Sequence, residues 1–136
     1  MLAQERVEVR EGICRFLLSG EFSLVEAVEL ISKAIAYCRD QKADKLLIDA
    51  TGVIGVPIPS LVDRFLIAEE WAQKAEGMVV VVLVVRAEYI HPEKFGVRVA
   101  ADLGLMLDVY TSEAEAMKWL SSHANRPDRG SDPAPI

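Results

Sequence analysis

Short apolar runs alternate with longer stretches of helical spacing along this chain. VEVREGICRFLLSG reads as two short strands around Arg10–Gly12, a hairpin. In FSLVEAVELISKAIAYCRD, the residues Leu24, Ala27, Val28, Ile31, Ala34, Ile35 and Cys38 recur at the spacing of one helix face. Ser23 and Glu26 fit the S-x-x-E capping box, in which each side chain satisfies a free amide of the first turn. KLLIDA then reads as a strand that ends at Asp49. DATGVIGVPIPS joins that strand to a second helix, Leu61–Ala75. MVVVVLVV is apolar without alternation, so both its faces must be covered, as in the middle of a parallel sheet. HPEKFGVRVAADLG places Pro92 at a first helical position and Gly104 past the helix end. Phe95, Val99 and Leu103 supply its expected inner stripe. LMLDVY is a last strand. SEAEAMKWL is a last helix with a capping box from Ser112 to Glu115.

The order β-β-α-β-α-β-α-β-α predicts an α/β fold. Its sheet is mostly parallel, of four to five strands, with helices packed on its faces. The second helix carries more apolar residues than such a fold requires. At ~100° per residue, Leu61, Phe65, Ala68, Ala72 and Ala75 share one arc, the expected core face. Val62 and Leu66 fall on one flank, and Ile67 and Trp71 on the other. Polar cover is left mainly to Asp63, Glu70 and Lys74. The surplus has two readings: a partner surface, dimer contact or lipid-facing wall, or a face that other helices or the loop cover.

Composition narrows the class. The chain has 136 residues, 51% of them apolar, which suits one globular domain over residues 1–123. Residues 124–136, ANRPDRGSDPAPI, are rich in Pro, Gly and charge and are expected to be a disordered tail. The net charge of −6 argues against charge-driven binding of nucleic acid or anionic lipid. The longest apolar run, Met78–Val85, has eight residues, whereas a membrane span takes ~20. No membrane insertion is expected, and MLAQERVEVR lacks the apolar region of a signal peptide. The two cysteines, Cys14 and Cys38, form neither a metal spacing nor a CxxC. They read as buried free thiols, which suits a reduced, cytoplasmic setting.

Candidate chemistry is sparse. Gly52 and Gly55 lie between a strand and a helix, where phosphate loops lie, but the stretch is neither GxGxxG nor GxxxxGK[ST]. Backbone conformation explains these glycines better. The two histidines, His91 and His123, stand at expected helix ends, and no GxSxG accompanies them. No His pair or carboxylate cluster has metal spacing. The expectation is therefore no cofactor, no metal and no enzymatic activity. Asp49, at the expected C-terminal edge of the sheet, suits an Asx-type turn. Ser60 stands where a helix cap belongs, with Asp63 three residues on.

Leu47, Ile48, Asp49, Thr51, Gly52 and Val53, set in this order of elements, resemble the strand-loop signature of the STAS domain. GVRVAADLGLMLDVYTSEAEAMKWL, with Glu115, Ala116, Trp119 and Leu120, is similar to the SpoIIAA-like branch of that superfamily. The likeness covers roughly residues 5–122 and implies protein–protein signalling, as in anti-sigma factor antagonists. In those relatives a serine in the loop or at the start of the next helix is phosphorylated by the anti-sigma kinase. In an ungapped match Pro57, Ile58 and Pro59 occupy the acidic and serine places, and Ser60 falls on the glycine. The usual phosphoserine motif is thus missing, and Ser60 meets it only if the alignment shifts.

The leading expectation is a non-enzymatic regulatory domain that binds a protein partner or itself. The expected contact residues are Gly55, Val56, Pro57, Ile58, Pro59, Ser60, Asp63, Ile67 and Trp71, with Asp49 and Gly52 as framework. The alternative is a small-molecule or lipid-binding SpoIIAA-like module whose apolar loop and helix line a pocket.

Overall fold

The computed structural model describes residues 4–10 and 12–123. The expected tail, residues 124–136, lies outside the described residues. The elements are β1 (Gln4–Arg10), β2 (Ile13–Glu21), α1 (Leu24–Asp40), β3 (Lys45–Ile54), α2 (Leu61–Ala75), β4 (Val80–Val84), a 3-10 turn (Ala87–Tyr89), α3 (Phe95–Asp102), β5 (Leu107–Tyr110) and α4 (Glu113–Ser122).

The five strands lie in sequence order, β1-β2-β3-β4-β5. The β1–β2 hairpin is antiparallel and every later pair is parallel. This order fixes where the helices go. Successive right-handed crossovers that always step in the same direction leave their helices on one face of the sheet. Accordingly α1, α2 and α3 share a face with Cys14, Phe16, Leu18, Leu46, Ile48, Val81, Leu83 and Leu107. Helix α4 follows the last strand, so no crossover constrains it, and it covers the other face. There Ala116 and Leu120 pack on Leu47, Val80, Val82 and Val84. β4 is buried along its whole length, as its unbroken apolar run requires.

Capping follows the sequence in two helices of three. Ser23 and Glu26 form both halves of a capping box, and so do Ser60 and Asp63. Ser112 accepts from the Glu115 amide at 3.1 Å, but the reciprocal bond from the Glu115 side chain is not made.

Three expectations are corrected. First, β3 does not stop near Asp49 but runs to Ile54. β4 pairs with it only as far as Asp49, and β2 alone carries the ladder from Gly52 to Ile54. The nine-residue β2 gives this extension a partner that a short strand would not. Second, Pro92 lies outside α3, which starts at Phe95 after Lys94 in the left-handed conformation (φ 51°). The inner face of α3 is Ala100, with Val97 and Val99 packed beside it, while Leu103 is exposed. Third, α2 is rotated from its expected orientation. Its buried residues are Ala68, Trp71 and Ala75, and Leu61 and Phe65 face solvent. Small residues at 68, 72 and 75 suit close packing against the neighbouring helices, which sets the rotation against total hydrophobicity.

Candidate functional site

Asp49 organises the end of the sheet from which the loop leaves. The β2–β3 register shifts between Leu17–Asp49 and Ser19–Gly52, so β3 carries one extra residue there. Asp49 Oδ1 accepts from the Thr51 amide at 3.0 Å and from Thr51 Oγ1 at 2.7 Å, holding that bulge. A Cβ on Gly52 would stand 3.0 Å from the Ser19 Cβ, so any side chain there would crowd β2. Gly55 then turns the chain out of the strand at φ +88°, and a Cβ there would meet Phe22 O at 3.3 Å.

The loop from Gly55 to Ser60 is clipped at two points and stands free between them. The Tyr89 hydroxyl donates to Val56 O. Arg64 Nε donates to Pro59 O at 3.2 Å, and its Nη1 donates to Tyr89 O at 3.1 Å. Val56 and Pro59 are half-buried as a result, while Pro57 and Ile58 are exposed. Ser60 Oγ accepts from the Asp63 amide at 3.0 Å, and Asp63 Oδ2 accepts from the Ser60 amide at 3.0 Å. Both are occupied in capping α2.

Beyond the cap lie two turns of exposed apolar residues. Leu61, Val62, Phe65 and Leu66 occupy one side of the helix, with Val62 at 68% exposure and Leu66 at 54%. Ile58 continues the patch into the loop. Ile67 and Trp71, expected on the contact flank, are elsewhere. Ile67 is half-buried, and Trp71 is only 6% exposed with its indole N–H donating to Val28 O at 3.3 Å. The apolar surplus of α2 is real, but it is displayed by Val62 and Leu66 together with the supposed core residues Leu61 and Phe65.

Beneath the loop is a cavity of about 170 Å³ between the sheet and helices α1, α2 and α3. Val28, Ile31, Val53, Ile67, Trp71 and Val97 are among its walls. Arg64, Trp71, Tyr89, His91 and Lys94 are its lining residues that carry polar side-chain atoms, and no acidic residue lines it. Lys94 Nζ bonds Asp108 Oδ1 at 2.6 Å and Val109 O at 3.2 Å, and lies 4.8 Å from the centre of the Tyr110 ring. Burial, and then the bond to Asp108, push the Tyr110 phenol up to about 12. It stays neutral at neutral pH and donates to Asp108 Oδ2.

Sequence reasoning passed over Arg64 and Tyr89, which fasten the loop. A cation in the first turns of α2 opposes the helix dipole, and that was the available signal for Arg64. The histidines are engaged locally: His91 Nδ1 accepts from the Glu93 amide, and His123 Nδ1 lies 2.8 Å from Trp119 O. Cys14 and Cys38 are free and buried. Contact with the Cys14 thiol, and then burial, push the Cys38 pKa up. Among the described residues no group of three or more His, Cys, Asp or Glu could hold a metal ion. No helix among them is long and apolar enough to cross a membrane.

No family model matches the chain, and no curated protein matches it by sequence. Solved structures do match. An anti-sigma factor antagonist from Mycobacterium paratuberculosis superposes with a TM-score of 0.55 at 19% identity, over 88% of this chain and 95% of that one. The anti-sigma factor antagonist SpoIIAA in its unphosphorylated form superposes with a TM-score of 0.50 at 16% identity, over 88% of this chain and all of that one. The chain therefore shares the overall SpoIIAA-like fold of these two structures.

Proposed function

We propose that this chain is a non-enzymatic regulatory domain that binds a protein partner, or a second copy of itself, through the platform of Ile58 and the first two turns of α2. One observation carries this reading: Leu61, Val62, Phe65 and Leu66 are all exposed on a helix whose cap is already satisfied. A contiguous apolar patch of this kind costs solubility unless something covers it. The clipped loop beside it has two prolines, so little conformational entropy is lost when it is ordered against a partner. The fold shared with anti-sigma factor antagonists is in keeping with a regulatory contact.

The test is Val62→Glu with Leu66→Glu. Both positions are exposed, so folding stability should stay within about 0.5 kcal/mol. Sedimentation velocity and co-purification should show loss of the wild-type self-association or partner complex. A folded double variant that associates as the wild type does would remove this surface from consideration.

A second reading, a module for a small apolar ligand, is favoured by the cavity beneath the loop. Its walls are almost entirely apolar, as ligand pockets are, with a few polar residues among them.

A further inference from the structure

We infer that the cavity takes a small apolar carboxylate, its hydrocarbon part among Val28, Ile67, Trp71 and Val97 and its carboxylate on Arg64. This rests on the second reading above and adds the ligand's size, charge and anchor.

Size comes from volume. An engineered cavity of about 150 Å³ with aliphatic walls holds one benzene molecule. A space of about 170 Å³ therefore suits an aromatic ring or an acyl chain of about six to eight carbons. It is too small for a two-chain lipid.

Charge comes from the lining. The whole chain carries −6, yet the cavity is lined by no Asp or Glu and by two basic residues, Arg64 and Lys94. Lys94 is neutralised by Asp108 at 2.6 Å. Arg64 differs, because its two bonds are to backbone carbonyls, Pro59 O and Tyr89 O. No carboxylate among the described residues pairs with it. A guanidinium has five N–H donors, so three remain. Arg64 is half-buried, lines an apolar space and keeps open donors, which makes it complementary to an anion with an apolar body. A neutral apolar ligand would fill the space and leave those donors to water.

The anchor has a structural consequence. Arg64 is also the strap that ties Pro59 to Tyr89, so a carboxylate on it would bear directly on the loop. Trp71 lines the cavity, and its indole N–H is held on Val28 O, so its resonance reports on the space.

The experiment is an NMR titration of the full chain with hexanoate and benzoate, each paired with its neutral analogue, 1-hexanol and benzyl alcohol. The indole resonance of Trp71 and the side-chain Nε resonance of Arg64 should shift with the acids. The acids should bind about 10- to 100-fold more tightly than the alcohols, the value of a charge-assisted hydrogen bond. Arg64→Met should abolish that ratio while the alcohols still bind, and Arg64→Lys should restore part of it. Ala27→Leu, which fills the cavity from α1, should weaken acid and alcohol alike. Thermal melting of each variant confirms that it is folded. Equal affinity for acid and alcohol, both lost in Ala27→Leu, overturns the Arg64 anchor and leaves the cavity reading standing. No binding by any of the four, or binding that Ala27→Leu leaves intact, overturns both.

Discussion

The first two turns of α2 and its last two turns are both rich in apolar residues and meet opposite surroundings. In the last two turns, Ala68, Trp71, Ala72 and Ala75 face the sheet and α1, and three of the four are alanine. In the first two turns, Leu61, Val62, Phe65 and Leu66 are larger and face solvent. Hydrophobicity alone ranks these halves the wrong way round. What decides is which face the fold takes up: the C-terminal half gives its small side chains and one indole to the core. The bulky residues of the N-terminal half stay exposed within the fold, which is the face on which the proposed contact rests.

The sharpest way to break this comparison is to truncate one large residue in each half. Trp71→Ala should cost about 3–5 kcal/mol, because it empties a packed core site and removes the donor to Val28 O. Leu66→Ala should cost less than about 0.5 kcal/mol, because its side chain is already in water. Urea denaturation of the two variants measures the difference. Similar losses at both sites would mean that the N-terminal half is packed after all, and the contact surface proposed above would have no basis.

The fold was legible because its signals are local and redundant. The β4 run without alternation could sit only inside a parallel sheet, and Ser23–Glu26 marked the start of α1 without ambiguity. The rotation of α2 was not legible. A helical wheel ranks faces by hydrophobicity, and α2 is apolar on more than half its circumference, so the ranking has no sharp answer. The length of β3 was hidden for a related reason. DATGVI contains the glycine and aspartate of a turn, and only the long β2 beside it keeps the backbone extended. Arg64 carried only the weak signal of a cation at the wrong end of a helix, and Tyr89 carried none, because both act on backbone carbonyls rather than on partner side chains. The loop was recognised as a stiff apolar segment from its prolines, but its fastening comes from α2 and from the turn at Ala87–Tyr89.

A smaller effect is expected where the loop begins. Gly55 has φ +88°, and an added Cβ would lie 3.2 Å from Glu21 Cγ as well as close to Phe22 O. Gly55→Ala should therefore cost about 1–3 kcal/mol, through a left-handed conformation imposed on a residue that resists it and through crowding against backbone. The loss should come with weakened partner binding, because the turn aims Pro57 and Ile58. Thermal melting and the association assay read the two consequences separately. A variant that melts lower yet binds normally would place the contact wholly on α2 and exclude the loop.

The smallest effect separates a cap from a switch at Ser60. Its hydroxyl accepts from the Asp63 amide, and Asp63 returns a bond to the Ser60 amide, so both residues already have a structural use. Ser60→Ala should cost about 1 kcal/mol, and Ser60→Asn close to nothing, because asparagine caps as well as serine does. If capping is its whole role, partner affinity should follow stability: nearly unchanged in both variants and in Ser60→Asp. A phosphorylated Ser60 would instead place a dianion beside Asp63, where repulsion opposes the favourable helix dipole. Ser60→Asp introduces only part of that charge, so a strong change in partner affinity from it, with melting unchanged, would show that the partner reads charge at this position. The exposed turns of α2 would then be the greasy half of a surface whose other half is electrostatic, and the contrast between the two ends of the helix would extend to its cap.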